Sequence, residues 1–206
     1  MSTLDKIAFF QNCRDEVPNQ ELAKTLAATD DLAGIREIAD NLNNNNPKIR
    51  SDCLKVLYEI GYLRPDLIAG YDTDFLTLLH SKENRMVWGA MIALACIANL
   101  QPNSIYSQID FVIQIIRSGT VITQVWGMRT LSKVAAANPD YKTRIMPFLL
   151  EQLQTCLPRD IPTHLESILP VMNSGEKIKI MEIIDSRFSE MTPAQQTRLK
   201  KILKQI

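Results

Sequence analysis

A proline recurs at a fixed interval along the chain, and the apolar residues before it keep the same register. Pro65, Pro102 and Pro139 are spaced 37 positions apart, and a fixed period of this length is typical of stacked structural repeats. Within each copy, apolar residues recur at intervals of three and four residues, as they do in amphipathic helices. The chain is therefore predicted to be all-α and repetitive. The three copies read PKIRSDCLKVLYEIGYLRP, NRMVWGAMIALACIANLQP and VITQVWGMRTLSKVAAANP.

Two kinds of column define the predicted core of the repeat. In one kind a small residue recurs, which lets neighbouring helices approach closely at a helix-propensity cost of up to about 1 kcal/mol per glycine. These columns hold Cys53, Ala90 and Gly127, and Gly61, Ala98 and Ala135. In the other kind an apolar residue recurs. These are Leu54, Leu57, Ile60 and Leu63; Met91, Leu94, Ile97 and Leu100; Met128, Leu131, Val134 and Ala137; and Leu165, Ile168 and Val171, after which the pattern fails at Ser174.

A second helix is predicted before each of these copies, because an earlier pair of apolar residues follows the same period. The pairs are Ile38 and Leu42, Phe75 and Leu79, Val112 and Ile116, and Leu149 and Leu153. Short polar segments separate the two helices of each unit, namely NNNNP at 43–47, SKEN at 81–84, SGT at 118–120 and LPRD at 157–160. The repeating unit is therefore predicted to be a helical hairpin.

The three copies resemble the HEAT repeat, which belongs to the wider HEAT and armadillo class of α-solenoids. The resemblance covers residues 31–173 and implies a right-handed superhelix of about four helical hairpins. The period of 37 residues is shorter than the roughly 40–47 usual for these repeats, and Glu176 stands where a fourth proline is expected. Terminal repeats have to shield an apolar side from water. Residues 1–30 and 174–206 are therefore predicted to be N- and C-terminal helical caps of a single domain, 1–206.

Sequence signals for helices occur at both ends of the chain. Thr192, Pro193 and Gln195 form a capping-box helix start, and Leu199, Ile202, Leu203 and Ile206 follow as one apolar stripe. This helix is expected to dock as a cap, with a membrane-surface or partner-binding tail as the alternative. At the N-terminus, LDKIAFFQNC and NQELAKTL predict two short helices.

The overall charge and the cysteines restrict the class of protein. Lys plus Arg equals Asp plus Glu at 23 each, so the chain lacks the strongly basic character of dedicated nucleic-acid binders. The four cysteines form no CxxC pair, and we expect them to be reduced and buried, with no metal site and no cofactor. The N-terminus does not resemble a signal peptide, and the most apolar stretch, 86–100, is shorter than the roughly 20 residues that span a bilayer. A cytoplasmic location without a membrane partner is expected.

The sequence contains none of the common catalytic motifs. It has no Gly-rich phosphate loop, no HExxH and no GxSxG, and neither His80 nor His164 has an evident nucleophile or acid partner. The protein is therefore predicted not to be an enzyme.

The resemblance implies that the second helix of each hairpin lines a concave surface. The outward row of these helices contains six basic and three acidic residues, and Ile92, Cys96 and Trp126 in its middle are expected to be exposed. An exposed aromatic residue beside apolar neighbours is a common interface anchor; the alternative for Trp126 is that it packs on the next repeat. The residues predicted to bind a partner are Lys55, Arg85, Ile92, Trp126, Arg129 and Lys133.

Two functions remain possible from the sequence. The first, which the resemblance favours, is a non-enzymatic interaction or scaffold module that binds a protein or peptide in its concave groove. The alternative is nucleic-acid binding, or excision of alkylated bases, because some HEAT-like proteins are similar to DNA glycosylases with Trp, Asp and Arg on a basic face. Asp52, Trp126 and Arg129 would be the corresponding residues here.

Overall fold

The computed structural model describes residues 2–204, which form twelve α-helices joined by short turns and 3-10 helices and contain no strand. The all-α prediction is confirmed. In chain order the helices are α1 (Val17–Thr29), α2 (Leu32–Asp40), α3 (Pro47–Leu63), α4 (Asp72–Leu78), α5 (Asn84–Ile97), α6 (Pro102–Ser107), α7 (Ile109–Ser118), α8 (Val121–Ala137), α9 (Pro139–Thr155), α10 (Ile161–Ile168), α11 (Ser174–Arg187) and α12 (Pro193–Leu203).

The helices are arranged in two layers. One layer consists of α1, α3, α5, α8, α10 and α12, and each of these helices packs against the next. In the other layer, α2, α4 and α7 pack against α3, α5 and α8 respectively, and α9 packs against both α8 and α10. The four predicted hairpins are thus α2–α3, α4–α5, α7–α8 and α9–α10.

The core follows the predicted columns except at the last position of each second helix. Every predicted apolar residue of the first helices is at most 1% exposed, and so are all residues in the first three columns of the first three copies. Leu63 and Leu100, however, are 52% and 49% exposed, and Ala137 is also exposed. The prediction that this column is buried is wrong. Leu63 and Ala137 are the last residues of α3 and α8, and Leu100 lies beyond the end of α5, so these positions project past the packed part of the layer.

The small residues lie where neighbouring elements come close together. A Cβ atom on Gly61 would be 2.8 Å from Cδ1 of Ile68 and 2.9 Å from Cβ of Cys96. A Cβ atom on Gly127 would overlap the side chain of Ile116 on α7. The predicted reason for the small columns, close approach of packed elements, is confirmed at these two glycines.

The periodic prolines start new elements rather than simply ending old ones. Pro102 and Pro139 are the first residues of α6 and α9, a position where the missing N–H costs no hydrogen bond. Where the proline period fails, the side chain of Asn173 caps α11, and the side chain of Glu176 accepts the backbone N–H of Asn173 in return. A capping box therefore marks the helix start in place of the proline.

The two ends of the chain differ in how well their helices were predicted. The capping box of Thr192 and Gln195 is present, and Leu199 and Ile202 are buried, whereas Ile206 lies outside the described residues. The segment LDKIAFFQNC contains only a 3-10 turn at Leu4–Lys6, so the first predicted helix is wrong. The division into caps and repeats stays a prediction.

Two other sequence expectations concern membranes and cysteines. None of the described helices has both the length and the apolar character needed to cross a membrane. Cys53 is buried and Cys96 and Cys156 are partly buried, but Cys13 is exposed. The expectation that all four cysteines are buried is therefore wrong for Cys13, which lies in the irregular segment before α1.

Candidate functional site

The predicted binding residues lie on the layer formed by α3, α5, α8 and α10. We call its solvent-facing side the second-helix face, defined by one row of residues on each helix. The row consists of Lys48, Asp52, Lys55, Glu59 and Tyr62 on α3; Arg85, Gly89, Ile92, Cys96 and Asn99 on or just after α5; Ile122, Trp126, Arg129, Lys133 and Ala136 on α8; and Arg159, Thr163, Glu166 and Pro170 around α10.

Lys55 is not available on this face, because it is only 7% exposed. Its Nζ atom lies 3.0 Å from Oε2 of Glu16 and 2.6 Å from Oε1 of Glu59, and 4.9 Å from the centre of the Tyr58 ring. Burial alone would lower the pKa of Lys55, but the hydrogen bonds that its ammonium donates to Glu59 and Glu16 outweigh this effect and raise the pKa. Lys55 therefore holds the N-terminal segment to α3 through a charged network.

Ile92 is 5% exposed, so the expectation that it is exposed is wrong. The rings of Tyr62 on α3 and Trp126 on α8 lie with their centres 5.7 Å apart, and α5 is packed between those two helices. A contact between α3 and α8 side chains has to pass over α5, and this covers the middle of its row. Cys96 in the same row is only partly exposed, and burial raises the pKa of its thiol to about 11, against the charge of Lys133.

At the α3–α5 end of the face, an acidic residue from outside the row pairs with its basic residues. Glu16, which precedes α1, forms an ion pair with Arg85 as well as with Lys55. The guanidinium of Arg85 also lies 5.8 Å from the centre of the Trp88 ring. Burial alone would raise the pKa of Glu16, but Lys55 and Arg85 together lower it. At the α3–α5 end, the predicted basic surplus is therefore offset by Glu16.

At the α8 end, an aromatic and cationic stack remains accessible. Trp126 is half-buried, and the guanidinium of Arg129 lies 4.4 Å from the centre of its ring. On the other side Trp126 contacts Tyr62, which is 45% exposed. Among residues 2–204, Arg129 takes part in no ion pair, so its guanidinium hydrogens remain available to a ligand.

A pocket of about 470 Å³ lies beside this stack. Its walls come from α8, from α10 and from the segment after α5, and they contain Asn99, Arg129, Ser132, Lys133, Ala136, Glu166, Ser167 and Pro170. The sequence predicted Arg129 and Lys133 at this site but missed Ser132 and Ser167. Both serines lie in stretches that mix polar and apolar residues, TLSKVA and HLESIL, so the sequence contains no signal that would have found them.

The polar groups of the pocket differ in how well they are satisfied. Nζ of Lys133 donates a 2.6 Å hydrogen bond to the backbone carbonyl of Ala95, and Oγ of Ser167 donates to the carbonyl of Thr163. The carboxylate of Glu166 accepts hydrogen bonds from Arg198. In contrast, the hydroxyl of Ser132 is buried and has no hydrogen-bond partner among the described residues.

The likeness to solved structures concerns the fold. No protein family model and no curated protein matches the sequence. A designed armadillo repeat protein in complex with the peptide (KR)4 aligns with a TM-score of 0.67 and 14% identity, over 90% of this chain and 85% of that chain. The chain has the fold of a HEAT/armadillo-type α-solenoid. The family resemblance inferred from the repeats is thus confirmed at the level of the fold.

Two further designed or engineered proteins align with nearly the whole α-solenoid. A computationally designed armadillo repeat protein for modular peptide recognition has a TM-score of 0.63 and 13% identity, over 98% of this chain and 97% of that chain. An engineered protein has a TM-score of 0.61 and 18% identity, over 100% and 98%. Such low identities carry no information on individual binding residues.

The residues considered for the DNA glycosylase alternative lie in different parts of the second-helix face. Asp52 accepts hydrogen bonds from the backbone N–H of Phe9, at 2.8 Å, and from the side chain of Asn19, at 3.0 Å. It lines a different depression from Arg129, so the three residues of the DNA glycosylase alternative do not share one pocket. Of the two histidines, His164 is 1% exposed, and the exposed His80 stacks on Phe111.

Proposed function

We propose that this α-solenoid is a non-enzymatic interaction module that binds an extended segment of a protein partner along the second-helix face. The observation that carries the proposal is the stack of Tyr62, Trp126 and Arg129, which presents aromatic rings and a free guanidinium to solvent. Trp, Tyr and Arg are the side chains most enriched among residues that dominate binding energy at protein interfaces.

The arrangement of the layer also favours an extended ligand. Successive helices α3, α5, α8 and α10 pack side by side, so their exposed residues form a continuous surface rather than a closed cavity. Solenoid repeats create extended binding surfaces of this kind. The designed armadillo proteins of similar fold include one in complex with a peptide and one made for modular peptide recognition, which supports the same use here.

We place this activity in the cytoplasm as part of the proposal. The described cysteines are free, and the partly or fully buried Cys53, Cys96 and Cys156 lie in separate parts of the fold. Reduced cysteines without a disulfide framework are typical of reducing compartments.

The proposal is tested by selecting ligands and then locating them. A phage-displayed library of random peptides is selected on the intact protein, and a photo-cross-linking amino acid is placed at Ala136 or, as a matched control, at Ala33. Both positions are exposed, but Ala136 lies on α8 beside the pocket, whereas Ala33 is on α2 in the other layer. We expect selected peptides to cross-link from position 136 and not from position 33. Cross-linking from position 33 alone, or failure of the selection to enrich any peptide, would contradict the proposal.

A further inference from the structure

Three residues that have unused hydrogen-bond donors line the pocket beside Trp126. Arg129, Ser132 and Lys133 all belong to α8 and all line the pocket. Residues three or four positions apart lie next to each other on one face of a helix, so the guanidinium of Arg129 is a neighbour of both other side chains. The three donors are therefore held by one helix rather than by a loop.

The capacity of each donor follows from its present partners. An ammonium group has three N–H bonds, and Lys133 uses one on the carbonyl of Ala95, which fixes its position and leaves two. The Arg129 guanidinium stacks on Trp126 and forms no ion pair among residues 2–204. Ser132 is 3% exposed, and its buried hydroxyl lacks a partner within the described chain. A buried polar group without a partner costs free energy, so a ligand acceptor at this point would remove an existing penalty.

The charge of the pocket selects the acceptor. Its lining contains two cations, Arg129 and Lys133, and one anion, Glu166. Glu166 is already engaged by Arg198 at 2.7 Å. Because Arg198 neutralises Glu166, the charges of Arg129 and Lys133 have no counter-charge in the lining, so the pocket favours an anionic acceptor. The planar guanidinium also suits the two oxygens of a carboxylate.

We infer that this pocket binds the carboxylate of an Asp or Glu side chain in an acidic peptide segment. The guanidinium of Arg129 and the ammonium of Lys133 donate to the carboxylate oxygens. The Ser132 hydroxyl, which is enclosed in the free protein, turns about χ1 towards the pocket and donates the hydrogen bond that it does not make there. The inference rests on the proposed function, and it adds that the partner segment is acidic.

The test compares peptides that differ in charge. Fluorescein-labelled peptides of equal length, one of alternating Asp and Glu, one of alternating Asn and Gln and one of alternating Lys and Arg, are titrated against the intact protein by fluorescence anisotropy. We expect the Asp/Glu peptide to bind at least about tenfold more tightly than the Asn/Gln peptide, since hydrogen bonds to charged groups are the stronger kind. Equal or tighter binding of the Asn/Gln or Lys/Arg peptide would overturn the inference. A phosphoserine peptide of the same length is also titrated, and tighter binding of that peptide than of the Asp/Glu peptide would overturn it as well.

Substitutions then locate the acidic peptide. The double variant Arg129→Gln, Lys133→Gln should weaken binding of the Asp/Glu peptide at least about tenfold. The control variant Arg36→Gln, Arg144→Gln removes the same charge from exposed positions of α2 and α9 in the other layer and should bind as the parent does. Equal loss in both double variants would show that overall charge attracts the peptide, and no loss in the first would place the peptide elsewhere.

Ser132→Ala distinguishes a binding role from a structural one. Because the buried hydroxyl has no partner in the free protein, its removal should leave the unfolding temperature unchanged or raise it, while affinity for the Asp/Glu peptide falls. A variant that loses stability but keeps affinity would overturn the role of Ser132. If all charge-defined peptides bind poorly while peptides from the random library still cross-link at position 136, this inference fails and the proposed function stands.

Discussion

The indole ring of Trp126 and the phenol ring of Tyr62 lie with their centres 5.7 Å apart, although the helices that carry them are separated by α5. The contact joins the α2–α3 and α7–α8 hairpins directly. Burial on this face raises the pKa of the Tyr62 hydroxyl, and the neighbouring Cys96 acts in the same direction. The two rings thus extend the core over the middle of α5 and leave their outer edges to solvent, where a ligand can reach them.

The inter-repeat core gives the first prediction. Leu94, Ile97 and Leu131 are each 0% exposed, and replacing any one of them by Ala should lower the free energy of unfolding by about 2–5 kcal/mol. Leu100→Ala is the control. Leu100 follows α5 in the same repeat as Leu94 and Ile97 but is exposed, so its effect should stay within about 0.5 kcal/mol. Urea unfolding measures all four. Similar small effects at every position would mean that the packing is wrongly described.

The small columns give the second prediction. Gly127→Ala should destabilise the protein by about 1–3 kcal/mol, since the added methyl group overlaps the Ile116 side chain and overpacking has this cost. Helix propensity alone favours the alanine by up to about 1 kcal/mol, so a decrease in the free energy of unfolding would indicate the clash. Gly70→Ala is the matched control, because no atom lies within 4 Å of the added Cβ, and it should be neutral or stabilising. Thermal unfolding of the two variants checks both signs, and a stabilising Gly127→Ala would refute the close approach.

The sequence was sufficient to predict the repeat and the core because each depends on residues within one unit. A helix in a stacked array buries the same face in every copy, so the buried positions recur every 37 residues along the chain. The burial of Lys55 and Ile92 depends instead on side chains from other units, Glu16 in one case and the Tyr62–Trp126 pair in the other. No periodic pattern contains such contacts, and for this reason the predicted binding row included two residues that the fold covers.

Buried His164 gives the third prediction, on pH dependence. Burial lowers the pKa of its imidazole below the ordinary value of 6.5, against the charge of Asp160. The unfolded chain therefore takes up a proton at His164 more readily than the folded one. The contribution of neutral His164 to the free energy of unfolding is thus fully present above pH 6.5 and is lost as the pH falls from 6.5 towards the folded-state pKa. The free energy of unfolding should decrease between about pH 7.5 and about pH 5.5.

The second histidine provides the control for this prediction. His164→Gln should remove most of the decrease, whereas His80→Gln should retain it, because His80 is exposed on the other layer. The chain has only these two histidines, so comparing the two variants shows which histidine causes the decrease in stability. Urea unfolding across the pH range measures it. A decrease that survives in His164→Gln would show that another group titrates.

The two tryptophans give the last prediction, which concerns the binding surface. Trp88→Phe leaves Trp126 as the only tryptophan. Trp126→Phe leaves Trp88, which lies on α5 against Tyr58 of α3. Binding of a library-selected peptide should shift the emission of the Trp88→Phe protein, since the ligand covers the exposed edge of Trp126. The Trp126→Phe protein should show little change.

Removal of the ring should also weaken binding more than removal of either neighbouring charge. Trp126→Ala should reduce the affinity for a selected peptide by about 2 kcal/mol or more, as expected for an aromatic anchor. The charged residues beside it are partly exposed, and screening by salt limits their contribution to the binding free energy. Lys133→Gln alone should therefore weaken the binding of a peptide without acidic residues less than Trp126→Ala does. Far-ultraviolet circular dichroism has to show that Trp126→Ala keeps its helical content, because the variant also loses the contact with Tyr62. If a folded Trp126→Ala protein binds as the parent does, the ligand occupies the other layer or the ends of the solenoid.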